Sequence, residues 1–300
     1  MIRRESESDF SHALLYAGHG SCLESGGLGV SARNIQRIIL EEEDSATLYR
    51  LKNWKADVVD RAIQYARGLV GTEYGSAEAR RAVREQKSSA ERPNRQFCTR
   101  YVAQAYEHAG IQMVENPDYC SPGDIEDSDA LSMINECLRP AEDYEVDRAE
   151  GPNPLEKQLE AQQEILGEVR DRYDNDVQTM GQLVEFVVEN EELDEEVAEI
   201  IRNSGFLELW KIDKKRNPHY YNYNVFNKKV PERQKDSVAN FLLSEARESR
   251  KRRFEPTLLT LGLLWNNKEL ETLEILVLLY KRLIGWTEER EKVARRHLEG

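Results

Sequence analysis

The sequence predicts an α+β fold: a small antiparallel sheet packed on one helix, followed by an all-α C-terminal region. Three observations carry this. Residues 10–17 and 21–25 are short strand-like runs on either side of Ala17-Gly18-His19-Gly20, a turn-forming segment. Residues 55–70 and 97–110 carry apolar residues at helical spacing. Beyond Gly151-Pro152-Asn153-Pro154, nearly every segment repeats that spacing. Two prolines and a glycine there mark a boundary, which divides the chain into 1–150 and 151–300.

The elements follow in order. If Tyr16 pairs with Gly20 across a three-residue turn, His12 lies opposite Glu24, and opposed residues project from one face. A slip of one residue would put Ser25 there instead. Residues 46–52 are a third candidate strand. Val58, Val59, Ala62, Ile63, Ala66 and Val70 form the stripe of a helix that ends at Gly71-Thr72-Glu73-Tyr74-Gly75. From Cys98, residues Val102, Ala105 and Ala109 fall on one continuous helical stripe, with Gly110 as a C-terminal stop. That stripe aims Cys98 at the sheet. Past the boundary, residues 155–172, 178–190, 193–203, 232–252, 256–265, 268–284 and 287–298 read as helices. The aromatic, asparagine-rich stretch Asn217–Asn227 reads as a loop or irregular strand.

Composition excludes several function classes. The 300 residues carry a formal net charge of −14 and a pI near 5.0, which opposes bulk affinity for nucleic acid or an anionic membrane. The apolar runs Leu258–Trp265 and Leu273–Leu279 are too short to span a bilayer, which takes about 20 residues. Charges near Met1 with no apolar run behind them do not make a secretory signal. Cys22, Cys98, Cys120 and Cys137 show no paired spacing, so reduced thiols in the cytoplasm are expected. No two Cys or His sit at metal-ligand spacing, and no cofactor is implied.

The chemistry resides in three residues. A helix N-terminus carries partial positive charge and unpaired N–H groups, which favour a thiolate at Cys98. An imidazole beside it, His12, with a carboxylate behind the imidazole, Glu24, makes an activated nucleophile. Cys22 is a rival thiol, but it sits on a strand with no helix dipole to activate it. Cys120 and Cys137 have nothing suggesting activation.

These segments also carry a resemblance. Ser11-His12-Ala13-Leu14-Leu15-Tyr16 with Leu23-Glu24-Ser25, the turn Gly71-Thr72-Glu73-Tyr74, the helix starting Phe97-Cys98-Thr99-Arg100-Tyr101-Val102, and Pro117–Ser128 stand in one order. Together they resemble the circularly permuted papain-like enzymes of the NlpC superfamily, in particular the YiiX-like group, over roughly residues 9–135. Lecithin:retinol acyltransferase-like enzymes are more distant relatives. The resemblance implies Cys98 as nucleophile, His12 as general base and Glu24 as the group orienting the imidazole. It implies an acyl-enzyme, with the oxyanion held by N–H groups at the helix start, such as that of Cys98. Tyr74, Thr99 and Arg100 are candidate substrate contacts, although Tyr74 reads equally as packing. Thr99-Arg100 departs from the Ser-Glu that often follows the cysteine in relatives.

The expected activity is that of an amidase or peptidase. A thioesterase, lipid esterase or acyltransferase would use the same parts. A non-enzymatic interaction module on this scaffold is the rival of another class. Expected partners are a peptide, a peptidoglycan fragment or an acylated substrate, with a protein partner for the helical region. The basic run Arg80–Arg95 reads as a solvated helix or as a lip beside Cys98. Lys251, Arg252 and Arg253 read as a helix end, and the Tyr220–Phe226 cluster as packing or a partner loop.

Overall fold

The computed structural model describes residues 8–42, 45–84 and 94–300. It is α+β, with two small antiparallel sheets and many helices, and it divides into two compact units. The first holds Met1–Leu155 together with Asp174–Gly181; the second holds Glu156–Tyr173 and Gln182–Gly300.

In the first unit, β1 (Leu14–Tyr16), β2 (Ser21–Gly26) and β3 (Gly29–Asn34) form one sheet in that order. The register differs from the expected one by two residues, because Leu14 and not His12 stands opposite Glu24. The cause is the turn. Gly18, His19 and Gly20 all adopt positive φ (85°, 50° and 74°), so the chain reverses over these three, and Ala17 donates to the Ser21 carbonyl at 2.8 Å. Moving the turn by one position moves the pairing by two, which leaves every side chain on its expected face.

The third strand of this sheet is β3, a segment not among the expected strands. Its signal is the Gly26-Gly27-Leu28-Gly29 turn followed by alternation, with Val30 fully buried and Arg33 exposed. The 46–52 segment supplies β4 (Leu48–Leu51), which pairs with β5 (Leu131–Ile134) in a separate sheet.

Gly29 is required where it stands. Its φ is +87°, and a Cβ there would lie 2.4 Å from the Thr72 carbonyl oxygen, which already accepts from Val30 N at 2.8 Å. Gly29→Ala is therefore expected to destabilise the first unit by about 3 kcal/mol, from left-handed strain and a clash with backbone that cannot swing aside. Denaturant unfolding measures this.

Helices α1 (Ala56–Gly68), α2 (Ser76–Arg84) and α3 (Cys98–His108) follow. The core lies between the sheet and α1 and α3, where Leu15, Leu23, Val30, Ala62, Ala66, Tyr101, Val102 and Ala105 meet. Tyr101 also donates its hydroxyl to the Ala66 carbonyl at 2.9 Å. Gly110, at φ +87°, ends α3 as expected, with Ile111 N reaching the Tyr106 carbonyl and Gly110 N that of Glu107. The helix is not amphipathic in its first two turns: every residue from Cys98 to Ala105 is buried. The segment 116–121 covers the side away from the sheet, which is why polar side chains are enclosed there. Two short helices, α4 (Pro122–Glu126) and α5 (Asp143–Glu150), complete the unit.

The second unit is helical: α6 (Pro154–Arg172), α7 (Met180–Glu189), α8 (Asp194–Asn203), α9 (Leu209–Arg216), α10 (Tyr223–Lys229), α11 (Lys235–Ser249), α12 (Glu255–Lys268) and α13 (Glu271–Leu298). Three sequence expectations change. Residues 268–284 and 287–298 belong to one helix, because Trp286 stacks on Tyr221 (5.6 Å between rings) and Arg290 is clamped by Asp213 and Glu245, which holds the chain helical through Gly285. The 217–227 stretch is a turn of 3₁₀-helix followed by α10, whose first N–H groups bond the Asn222 side chain. Lys251, Arg252 and Arg253 lie in a π-helical turn joining α11 to α12, not at a helix end. No described helix is long and apolar enough to cross a membrane.

Candidate active site

The site is assembled by the sheet and the start of α3. His12 lies just ahead of β1, on the face shared by Leu14 and Tyr16, and reaches diagonally to Glu24 on β2. Its Nε2 is 2.7 Å from Glu24 Oε2. The Cys98 side chain lies close enough to the ring to raise its proton affinity. With Nε2 held by the carboxylate, Nδ1 is the ring nitrogen left for sulfur. The structure thus brings together the three residues that the sequence singles out, through a register different from the expected one.

Cys98 occupies the first position of α3, after Phe97 in extended conformation (φ −134°, ψ 163°). Tyr101 N is the first to bond back along the helix, to the Phe97 carbonyl at 2.9 Å. The N–H groups of Cys98, Thr99 and Arg100 therefore have no intrahelical partner, and the helix field at the sulfur is positive. Cys98 is 7% exposed, whereas 37% of the His12 side chain faces solvent.

The electrostatics follow from these contacts. Hydrogen bonds from His12 to Cys98 and then to Glu24 push the imidazole up to about 9, against the opposing effect of burial. For Glu24, burial pushes the carboxyl up. The hydrogen bond with His12 and the charges of Arg33 and His12 outweigh it, so the group stays below the usual carboxylate range. The other buried thiols behave differently. Burial, helped by the Glu24 charge, pushes Cys22 up to about 11, and burial pushes Cys120 up to about 12. Both remain protonated at neutral pH.

Sequence reasoning missed Arg33. Its Nη1 lies 3.3 Å from Glu24 Oε1, so the two carboxylate oxygens are held by different residues. Its signal was the glycine turn that announces β3.

The three expected substrate contacts fall in different places. Tyr74 pairs with Gln96 across an isolated bridge, is half-buried, and has its hydroxyl pushed up by burial and by the Cys98 charge. Thr99 is buried, with its hydroxyl donating to the Cys120 carbonyl at 2.6 Å. Arg100 is fully buried: Nε bonds the Asp118 carbonyl at 2.7 Å, Nη1 bonds that of Arg95 at 3.0 Å, and the guanidinium lies over Phe97 and Tyr119. Both side chains fasten α3 to the 116–121 segment and present nothing to solvent. Of the basic run, Arg80 bonds the Ser76 carbonyl and Arg95 pairs with Glu73. The side chains of Arg81 and Arg84, and all of Lys87 and Arg92, lie outside the described residues.

The turn 71–75 links the two halves of the site. Gly71 N and the Thr72 carbonyl bond Val30 on β3, while Glu73 and Gly75 exchange bonds with Gln96, two residues before Cys98. Gln178, from the segment 174–181, accepts from Glu73 N at 2.9 Å and is fully buried. A cavity of about 310 Å³, lined by residues including Met113, Glu115, Asp124 and Asp127, shares no residue with the site.

A thiol at a helix head, coupled to an imidazole that a buried carboxylate holds, can carry nucleophilic acyl chemistry. Comparison with known families agrees: the model of the permuted papain-like amidase enzymes, YaeF/YiiX, C92 family, matches residues 2–150. Neither a curated protein nor a solved structure matches the chain. Over its N-terminal half, this chain belongs to the permuted papain-like amidase family.

Proposed function

We propose that the protein is a cysteine amidase that cleaves an amide in a peptide or peptidoglycan fragment through an acyl-enzyme on Cys98. The observation that carries this is the His12 ring, held by Glu24 at 2.7 Å and coupled electrostatically to Cys98 at the head of α3. The thiolate attacks the carbonyl carbon, and the oxyanion is met by N–H groups of the first turn of α3, such as that of Cys98. The protonated imidazole then gives its proton to the leaving amine as the C–N bond breaks. A water, deprotonated by the now neutral imidazole, attacks the thioester and releases the acid. Glu24 keeps the ring oriented and its cationic form stabilised. Tyr74, on the turn bridged to Gln96 two residues before Cys98, would serve as a substrate contact. Ester and thioester donors, or an acceptor other than water, would use the same groups. A reducing compartment such as the cytoplasm suits the four free cysteines.

Iodoacetamide at pH 6, followed by peptide mapping, tests the reading. An ordinary thiol with a pKa near 8.5 is under about 1% thiolate there. Cys98 is expected to react at least about tenfold faster than the exposed Cys137, with Cys22 and Cys120 slower still. Equal labelling of Cys98 and Cys137 would sink the catalytic assignment and favour a non-enzymatic interaction module. A panel of amide, ester and thioester donors then fixes the bond cleaved.

A further inference from the structure

We propose that Arg33 is a positioning residue of this site, locking the Glu24 carboxylate so that it aims and charges His12. The proposal rests on the amidase reading above. β2 and β3 pair with Arg33 opposite Cys22, which sets Arg33 diagonal to Glu24 on the same face of the sheet. From there its Nη1 meets Oε1, while His12 Nε2 meets Oε2. A carboxylate held at one oxygen turns freely about its last torsion, which has no sharp minimum. Held at both oxygens, it fixes the plane of the imidazole that it grips.

The second reason is charge. The groups facing Glu24 are His12 from the lead-in to β1, Arg33 from β3 and Cys22 on its own strand, with Cys98 beyond the imidazole from α3. Only two of these are cations. His12 loses its proton in each turnover, and without Arg33 the buried carboxylate would at that moment have no positive neighbour among the described residues. A guanidinium keeps its charge through the cycle, so Arg33 holds Glu24 ionised while the imidazole is neutral. Half of the Arg33 side chain faces solvent, so its removal opens no cavity in the core.

The test measures Cys98 alkylation by iodoacetamide between pH 4 and 9, and amide turnover over the same range, in the full-length wild type, Arg33→Met and Arg33→Lys. In Arg33→Met the acid limb of both profiles is expected to move up by about one pH unit. The plateau should fall about tenfold in kcat with little change in KM. Arg33→Lys, which returns the charge without the fork, is expected to restore the limb and only part of the plateau. Thermal melting by circular dichroism monitors folding; if Arg33→Met fails to fold, Arg33→Gln is read by the same limb. A lower melting temperature with limb and plateau unmoved would overturn the proposal while leaving the amidase reading intact. Wild-type Cys98 reacting no faster than Cys137 would overturn both.

Discussion

Cys98→Ala is expected to lower amide turnover by at least about 10⁴-fold, with KM changed little where it can still be measured. The size follows from the proposed role: the attacking atom would be gone, leaving binding and the N–H groups at the start of α3. The fold is expected to survive, because the side chain removed is small and α3 is held by Thr99, Arg100, Tyr101 and Gln104 through bonds to Cys120, Asp118, Ala66 and Gln96. Residual turnover within tenfold of wild type, in protein whose unfolding midpoint is unchanged, would remove Cys98 from the mechanism. Cys22→Ala and Cys120→Ala serve as controls, since burial keeps both thiols protonated at neutral pH.

His12→Ala is the second large effect. Turnover is expected to drop by about 10³-fold or more, and alkylation of Cys98 at pH 6 to fall to the rate of an ordinary thiol. The imidazole also leaves a mark on stability. Its pKa is about 9 in the folded chain against 6.5 unfolded, so the folded state binds the proton more tightly. The resulting stabilisation is complete below about pH 6.5 and fades as the pH rises through 9. Because more than a third of the ring faces solvent, its size is discounted to the order of 1 kcal/mol. Urea midpoints between pH 6 and 10 should therefore show a decline in the wild type that His12→Ala lacks. Parallel curves for the two proteins would count against the ring being held as described.

Much of the site was legible because its signals are local. Cys98 announces itself by standing at the head of an apolar stripe, and Gly110 marks the stop of the same helix by needing a positive φ. His12 and Glu24 are recognisable as a pair because strand alternation preserves faces even when the register is off by two. The register itself was not legible. It depended on whether the turn used Ala17 or Gly20 as its flank, and three successive residues at positive φ decided it. The helix boundaries of the second unit were read well where polarity alternates, and poorly at Gly285 and around Asn217–Asn227. There Trp286, Arg290 and the Asn222 cap override weak local preference.

The sequence by itself determined which groups are present, their chain order, and which face or helix end each occupies, because backbone periodicity and glycine conformations are properties of a few neighbouring residues. Only the tertiary structure decided that Arg33 completes the grip on Glu24, and that Thr99 and Arg100 are enclosed rather than offered to a substrate. It also decided that Gln178, far along the chain, holds the turn beside Tyr74. Each of these depends on which distant segment packs against which. That choice is made by closing the core around β2, β3 and α3, and no local pattern encodes it.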